Sequence, residues 1–206
     1  MNTKLRIKNE FSNTIQIEKS TFICYLRRCD YEESAKTFIN EIRKKHYDAT
    51  HVCTAYYIDD NYQKSNDDGE PKGTAGIPML ETIKKMNIEK ICVCVVRYFG
   101  GIKLGAGGLI RAYSNSVSEA INKVEKLKLI PVNIYQMNVP YNMVSKIEYF
   151  LNQNAIIMDR IYDLDVIFKF QSFDENIKNK LIEYTNGKVD ILFLENKMIE
   201  ISENFY

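Results

Sequence analysis

Two segments constrain the chain most: Asp67-Asp68-Gly69-Glu70-Pro71-Lys72-Gly73-Thr74-Ala75-Gly76 and Arg97-Tyr98-Phe99-Gly100-Gly101-Ile102-Lys103-Leu104-Gly105-Ala106-Gly107-Gly108-Leu109-Ile110-Arg111-Ala112-Tyr113. Together they hold nearly all of its nine glycines, interleaved with acids, bases and aromatics. Glycine reaches backbone angles closed to other residues and lets a partner approach the main chain. Each segment runs into a helical pattern, so the glycines mark a built site, and the rest of the chain reads as scaffold.

The scaffold is legible from periodicity. Residues 4–8, 14–18 and 20–28 read as strands, with Phe22, Cys24 and Leu26 alternating with Ile23 and Tyr25. A helix follows, with Asp30 as N-cap, Glu33 completing a capping box, and a stripe of Ala35, Phe38, Ile39 and Ile42. Residues 50–58 form a strand, and the polar stretch 59–73 is expected as a long loop, a length usually tied to function. A helix over about 76–86 carries Pro78 in its first turn, where a missing N–H does no harm. Residues 88–99 make a buried strand, and the best helix covers 108–126.

Leu127 to Asn133, which holds Pro131, is the expected boundary between a domain over 1–130 and a second over 131–206. The second domain reads as strand 133–139, helix 141–153, strands 155–161 and 163–170, helix 173–185, and strands 189–195 and 197–202. That is a ferredoxin-like βαββαβ order with an extra strand. The fold class is therefore α+β.

No apolar run approaches the ~20 residues of a membrane helix; the longest, Ile91 to Val96, is six. The N-terminus has no apolar signal core, and a cytoplasmic protein is expected. The five cysteines form no Cys-x-x-Cys pair, and small reduced core residues are the expectation rather than disulfides or zinc. Residues 1–130 carry 21 Lys and Arg against 16 Asp and Glu, a net of +5, and residues 131–206 carry 7 against 11, a net of −4. The basic first part permits an anionic partner such as RNA without demanding one.

The second glycine segment places a strand, a glycine turn and a helix start in succession, with Lys103 in the turn and Arg111 in the first helical turn. Helix N-termini offer free N–H groups and the positive end of the dipole, a ready anion site. Gly100, Gly101, Gly105, Gly107 and Gly108 would open those amides, and Arg97, Lys103, Arg111 and Lys72 would add charge-assisted bonds. The spacing matches neither the P-loop nor the dinucleotide fingerprint, and the alternative is a structural turn packed against another strand. Asp67, Asp68 and Glu70 are expected to order the loops by pairing with Arg97, Lys103 or Arg111; ligation of a hard cation is the lesser alternative. His51 and Cys53 share a strand face, yet no orienting third group completes a nucleophile. Tyr98 and Tyr113, with Phe99, beside basic residues would suit base stacking.

These motifs carry a family likeness. Ser65-x-Asp67-Asp68-Gly69-Glu70-Pro71-x-Gly73-Thr74-Ala75-Gly76-x-Pro78 and the Arg97 to Tyr113 segment closely resemble the IMPACT/YigZ family, as do Lys19-Ser20-x-Phe22 and Ala49-Thr50-His51-x-Cys53-x-Ala55-Tyr56. Asn66, Lys72 and Val96 are slight departures. The resemblance implies a first domain like the second domain of ribosomal protein S-five and a second like a C-terminal domain of elongation factor G. Eukaryotic relatives restrain a translation-control kinase pathway, partly through a further N-terminal domain. The likeness brings no known catalytic residue. The expected function is therefore non-enzymatic: binding RNA or ribosome-associated partners and modulating translation, with no cofactor, no metal, no membrane and no DNA sequence readout. The alternative is a nucleotide- or phosphometabolite-binding enzyme that uses the glycine loop 100–108.

Overall fold

A computed structural model describes residues 4–203, so the first and last three residues of the two expected domains lie outside it. The chain is α+β and divides into two compact units, residues 1–128 with 201–206, and residues 129–200.

The first unit is built on a five-stranded antiparallel sheet. Its strands are β2 (Phe11–Ile17), β3 (Ser20–Arg28), β6 (Ile91–Tyr98), β4 (His51–Tyr57) and β5 (Gln63–Asn66), in that spatial order. The short strand β1 (Leu5–Ile7) pairs instead with the start of β7 (Lys126–Val139). One face of the sheet packs against α2 (Gly76–Lys85) and α3 (Gly105–Lys123), joining Phe22, Leu26, Val93 and Val95 to Met79, Ile83, Ala112 and Val117. The other face packs against α1 (Glu32–Lys45), joining Cys92, Cys94 and Val96 to Ala35, Phe38 and Ile42. The central strand is covered on both sides, which is why it reads as one continuous apolar run.

The structure differs from the sequence reading at several ends. The N-cap of α1 is Tyr31, whose backbone exchanges hydrogen bonds with the Ser34 hydroxyl; Asp30 is drawn off to Lys90, 3.1 Å away. The expected loop 59–73 contains β5, which forms a hairpin with β4 around a turn in which Asp59 accepts the N–H groups of Asn61 and Tyr62. Helix α3 begins three residues early, so Gly105, Gly107 and Gly108 are its first turn rather than loop, and Arg111 falls in the second turn.

In the second unit, α4 (Val144–Asn154) and α5 (Ile177–Thr185) bury Ile147, Leu151, Ile177 and Leu181 against Met137 of β7 and Phe168 and Phe170 of β9 (Val166–Ser172). β10 (Asp190–Ser202) pairs with β7, β7 with β9, and β9 with β8 (Ile156–Tyr162), the ferredoxin-like order. The expected extra strand is absent, because 190–202 is one strand that runs through Asn196. Pro131, the expected linker residue, lies inside β7 between its pairings with β1 and β9, where its missing N–H breaks no rung of either ladder. Among the described residues no helix is long and apolar enough to cross a membrane.

Candidate functional site

The two glycine segments meet at the β6 end that leads into α3. Alternation along β6 sends Arg97 to the face shared with α2 and α3, and Tyr98 to the α1 face. Arg97 is buried, and its Nη1 donates to Glu70 Oε1 at 2.7 Å while Nη2 reaches Ser20 Oγ at 3.4 Å. The same Glu70 oxygen accepts the Tyr113 hydroxyl at 2.8 Å, and Glu70 Oε2 lies 3.9 Å from His51 Nε2. This ion pair ties one segment to the other. A buried charge pair is costly to desolvate and becomes costlier if broken, so Arg97 serves as a clamp rather than a free phosphate contact.

The other acids act locally. Asp67 Oδ1 accepts the N–H groups of Ala75 (3.1 Å) and Gly76 (2.8 Å), and Oδ2 that of Gly73 (2.8 Å), closing the N-terminus of α2. Burial pushes the Asp67 carboxyl up, but the backbone donors of Gly73, Gly76 and Ala75 outweigh it and hold the group below the usual carboxylate range. Asp68 accepts the Val52 N–H at 2.7 Å and pairs with Arg43 at 3.1 Å, neither of them a partner expected from the sequence. Among the described residues no cluster of three or more His, Cys, Asp or Glu is arranged to hold a metal ion.

The glycines divide by task. A Cβ on Gly100 would stand 2.0 Å from the Lys19 carbonyl carbon, and one on Gly76 would stand 2.7 Å from the Asn66 nitrogen. Both are needed for close backbone packing. Gly101 and Gly105 take positive φ angles of 89° and 67° in open space, shaping the approach to α3. Gly107 and Gly108 lie on the helix itself.

Among the described residues no side chain is bonded to the first amides of α3, whereas those of α2 are held by Asp67. A cleft of about 430 Å³ opens at this end, lined by Thr50, His51, Glu70, Arg97, Phe99 and Lys103 among others. A second, of about 450 Å³, is lined by Lys103, Arg111, Gly108, Ile102 and Glu18. Lys103 thus borders both clefts and Arg111 only the second. Both are exposed and have no ion-pair partner among the described residues. Lys72 is exposed on the first segment and lines neither cleft.

The two expected stacking residues are otherwise engaged. Tyr113 is fully buried, edge-on to Phe22 at 5.4 Å, with no ring face open. The Tyr98 hydroxyl is bound to His46 Nδ1 (2.9 Å) and Asp48 (3.1 Å) on the far side of the sheet. Phe99 is the aromatic that does line the first cleft, 45% exposed. Cys53 and His51 are each engaged elsewhere: burial pushes the Cys53 thiol far up and its Sγ contacts the Asp67 carbonyl and the Tyr113 hydroxyl, and His51 spends Nδ1 on the Asp68 carbonyl at 2.8 Å.

Comparison with known proteins follows the same segments. The profile of the Impact N-terminal domain matches residues 18–121, about half of the chain. The chain belongs to the IMPACT family. The IMPACT family member YvyE of Bacillus subtilis is 42% identical over 96% of this chain and 96% of its own. The family member YigZ of Escherichia coli is 35% identical over 87% of this chain and 92% of its own. A crystal structure of a protein described only as hypothetical superposes with a TM-score of 0.60 at 32% identity, covering 95% of this chain and 98% of that one. The IMPACT resemblance therefore extends through both units.

Proposed function

We propose that this IMPACT-family chain binds RNA of the translation apparatus at the start of α3 and thereby modulates translation, without catalysing a reaction. One observation carries the reading: Lys103 and Arg111 are exposed and, among the described residues, have no ion-pair partner, beside a helix start whose first amides no described side chain caps. Charge on a protein surface is normally matched or dispersed; here two cations and a helix dipole converge on one edge, which suits phosphate. The basic balance of residues 1–130 works in the same direction. Membership in a family whose eukaryotic branch acts on translation control supports the biological side. Sequence readout is not part of the proposal, because the contacts envisaged are to phosphate.

The test is Lys103→Glu with Arg111→Glu, read by fluorescence polarisation with a short single-stranded RNA at low salt and by co-sedimentation with ribosomes. Affinity should fall steeply, and the dependence of log affinity on log salt should flatten by about one for each phosphate that is no longer neutralised. Binding that survives unchanged in both assays overturns the proposal. Binding to ribosomes that persists after nuclease treatment points to a protein partner instead.

A further inference from the structure

We infer that the cleft bordered by Thr50, His51, Glu70, Arg97, Phe99 and Lys103 receives one unpaired nucleotide, with its base on Phe99 and its phosphate at the α3 start. The inference rests on the RNA reading above and specifies what that site holds.

Size comes first. A cleft of about 430 Å³ falls within the ~300–1,000 Å³ typical of small-ligand sites and suits a single nucleotide. Its walls are mixed in the required way, with Pro71, Leu104 and Ala106 supplying apolar surface next to the polar groups. Phe99 is a large aromatic left 45% exposed in that wall. Its main chain is anchored, with the backbone N–H donating to Thr50 Oγ1 at 3.0 Å, and the clamped Arg97 guanidinium lies 5.4 Å from its ring centroid. A pre-positioned ring loses little entropy when a base stacks on it.

Two features ask for polar partners. Arg97 Nε is buried with no hydrogen-bond partner among the described residues, although each terminal nitrogen makes one hydrogen bond. An orphaned buried donor costs about 1–3 kcal/mol until something accepts from it. Arg97 itself stands in the cleft wall, so its unmet donor lies at the border of the site. The first turn of α3, with Gly105 and Ala106 in the cleft wall, offers uncapped amides to a phosphate, and Lys103 stands beside them. A base in a duplex enters a pocket only after unstacking and unpairing, which costs a few kcal/mol, so the site favours unpaired residues.

The experiment compares a short single-stranded oligoribonucleotide, the blunt duplex of the same sequence and adenosine monophosphate, each titrated against wild type, Phe99→Ala and Phe99→Tyr. Melting temperatures verify that the variants fold. Wild type should prefer the single strand; Phe99→Ala should lose roughly 5- to 100-fold on that probe with duplex affinity unmoved, and Phe99→Tyr should restore it. Equal binding of both RNA forms, indifferent to Phe99→Ala, overturns the pocket and leaves the RNA reading standing. Failure of wild type to bind either RNA sinks the RNA reading itself. Binding of adenosine monophosphate alone, abolished in Phe99→Ala, overturns RNA as the source and assigns the cleft to a free nucleotide.

Discussion

Replacing Glu70 by Ala should be among the most damaging single changes on this surface, although no ligand is involved. The Glu70 side chain is 3% exposed and that of Arg97 6%, so neither group can turn to solvent without local opening. One carboxylate oxygen serves both Arg97 Nη1 and the Tyr113 hydroxyl. Its removal leaves a buried guanidinium with only the Ser20 hydroxyl at 3.4 Å, and a buried phenol that no longer has an acceptor. Breaking a buried pair on one side costs about 3–5 kcal/mol, and an orphaned hydroxyl about 1–3 kcal/mol. The two overlap because the same rearrangement relieves both, and about 4 kcal/mol is a fair sum. At roughly 2–4 °C per kcal/mol for a chain of this size, the melting temperature should fall by roughly 8–16 °C. The chain has no Trp, so circular dichroism is the suitable signal. The double variant Glu70→Leu with Arg97→Met removes both charges and should recover most of the loss, because an apolar pair of similar volume replaces a buried ion pair at little or no cost. A loss below about 1 kcal/mol for Glu70→Ala, or a double variant that is simply additive, would refute the clamp.

Other perturbations separate capping from close packing. Asp67→Asn should cost about 1–2 kcal/mol at neutral pH, because the amide keeps only one of the two oxygens that accept the Gly73, Ala75 and Gly76 N–H groups. Because the folded Asp67 carboxyl is held low, its contribution is present above the unfolded value near ~4 and is lost as pH falls through the lower folded value. The acid limb of stability against pH, followed by urea melts, should therefore be shallower in Asp67→Asn than in wild type; identical limbs contradict this. Gly100→Ala should unfold or severely destabilise the first unit, since its Cβ would meet backbone at 2.0 Å. Gly107→Ala meets nothing nearer than Arg111 Nη1 at 3.5 Å and should be neutral or stabilise by up to about 1 kcal/mol, as helix propensity favours Ala. Equal melting temperatures for those two variants would void the division of the glycines.

What could be read from the sequence follows from how each residue is stabilised. The buried run Ile91 to Val96 and the stripe of α1 announce themselves because burial sets their pattern. β5 does not, since Gln63-Lys64-Ser65-Asn66 is polar throughout and is a strand only because β4 offers it a ladder. The start of α3 was masked by the glycines, poor helix formers overridden here by the packing of Leu109, Ala112 and Tyr113. Strand 190–202 reads as two strands because Glu195-Asn196-Lys197 resembles a turn, yet it lies where polar side chains are exposed and cost nothing. At the site, residue type singled out Lys103 and Arg111, and the structure leaves both exposed. It could not tell which base was the clamp, since Arg97 differs from them only in burial. Nor could it choose among aromatics: strand alternation turns Tyr98 away from Arg97, the helix core takes Tyr113, and Phe99 just past the strand end is left in the cleft.

The two glycine-led helix starts make a natural pair of experiments within one fold. α2 satisfies its first amides with the chain's own Asp67 carboxylate, whereas α3 has no such cap and keeps cations beside it. If the open end exists to take an anion, supplying a carboxylate there should help the fold and harm binding at once. Ala106 is the position for it, exposed, in the first turn of α3 and in the cleft wall. Ala106→Glu should gain about 0.3–1 kcal/mol from the helix dipole, a rise of roughly 1–4 °C in melting temperature. The same charge would repel a phosphate from the amides and from Lys103, so RNA affinity should fall by about tenfold or more at low salt, with the difference shrinking as salt is raised. A stabilised variant that binds as well as wild type would show that the uncapped terminus is merely tolerated, and would remove the helix start from the proposed contact surface. Opposite signs for stability and binding at one residue are hard to obtain from a purely structural turn.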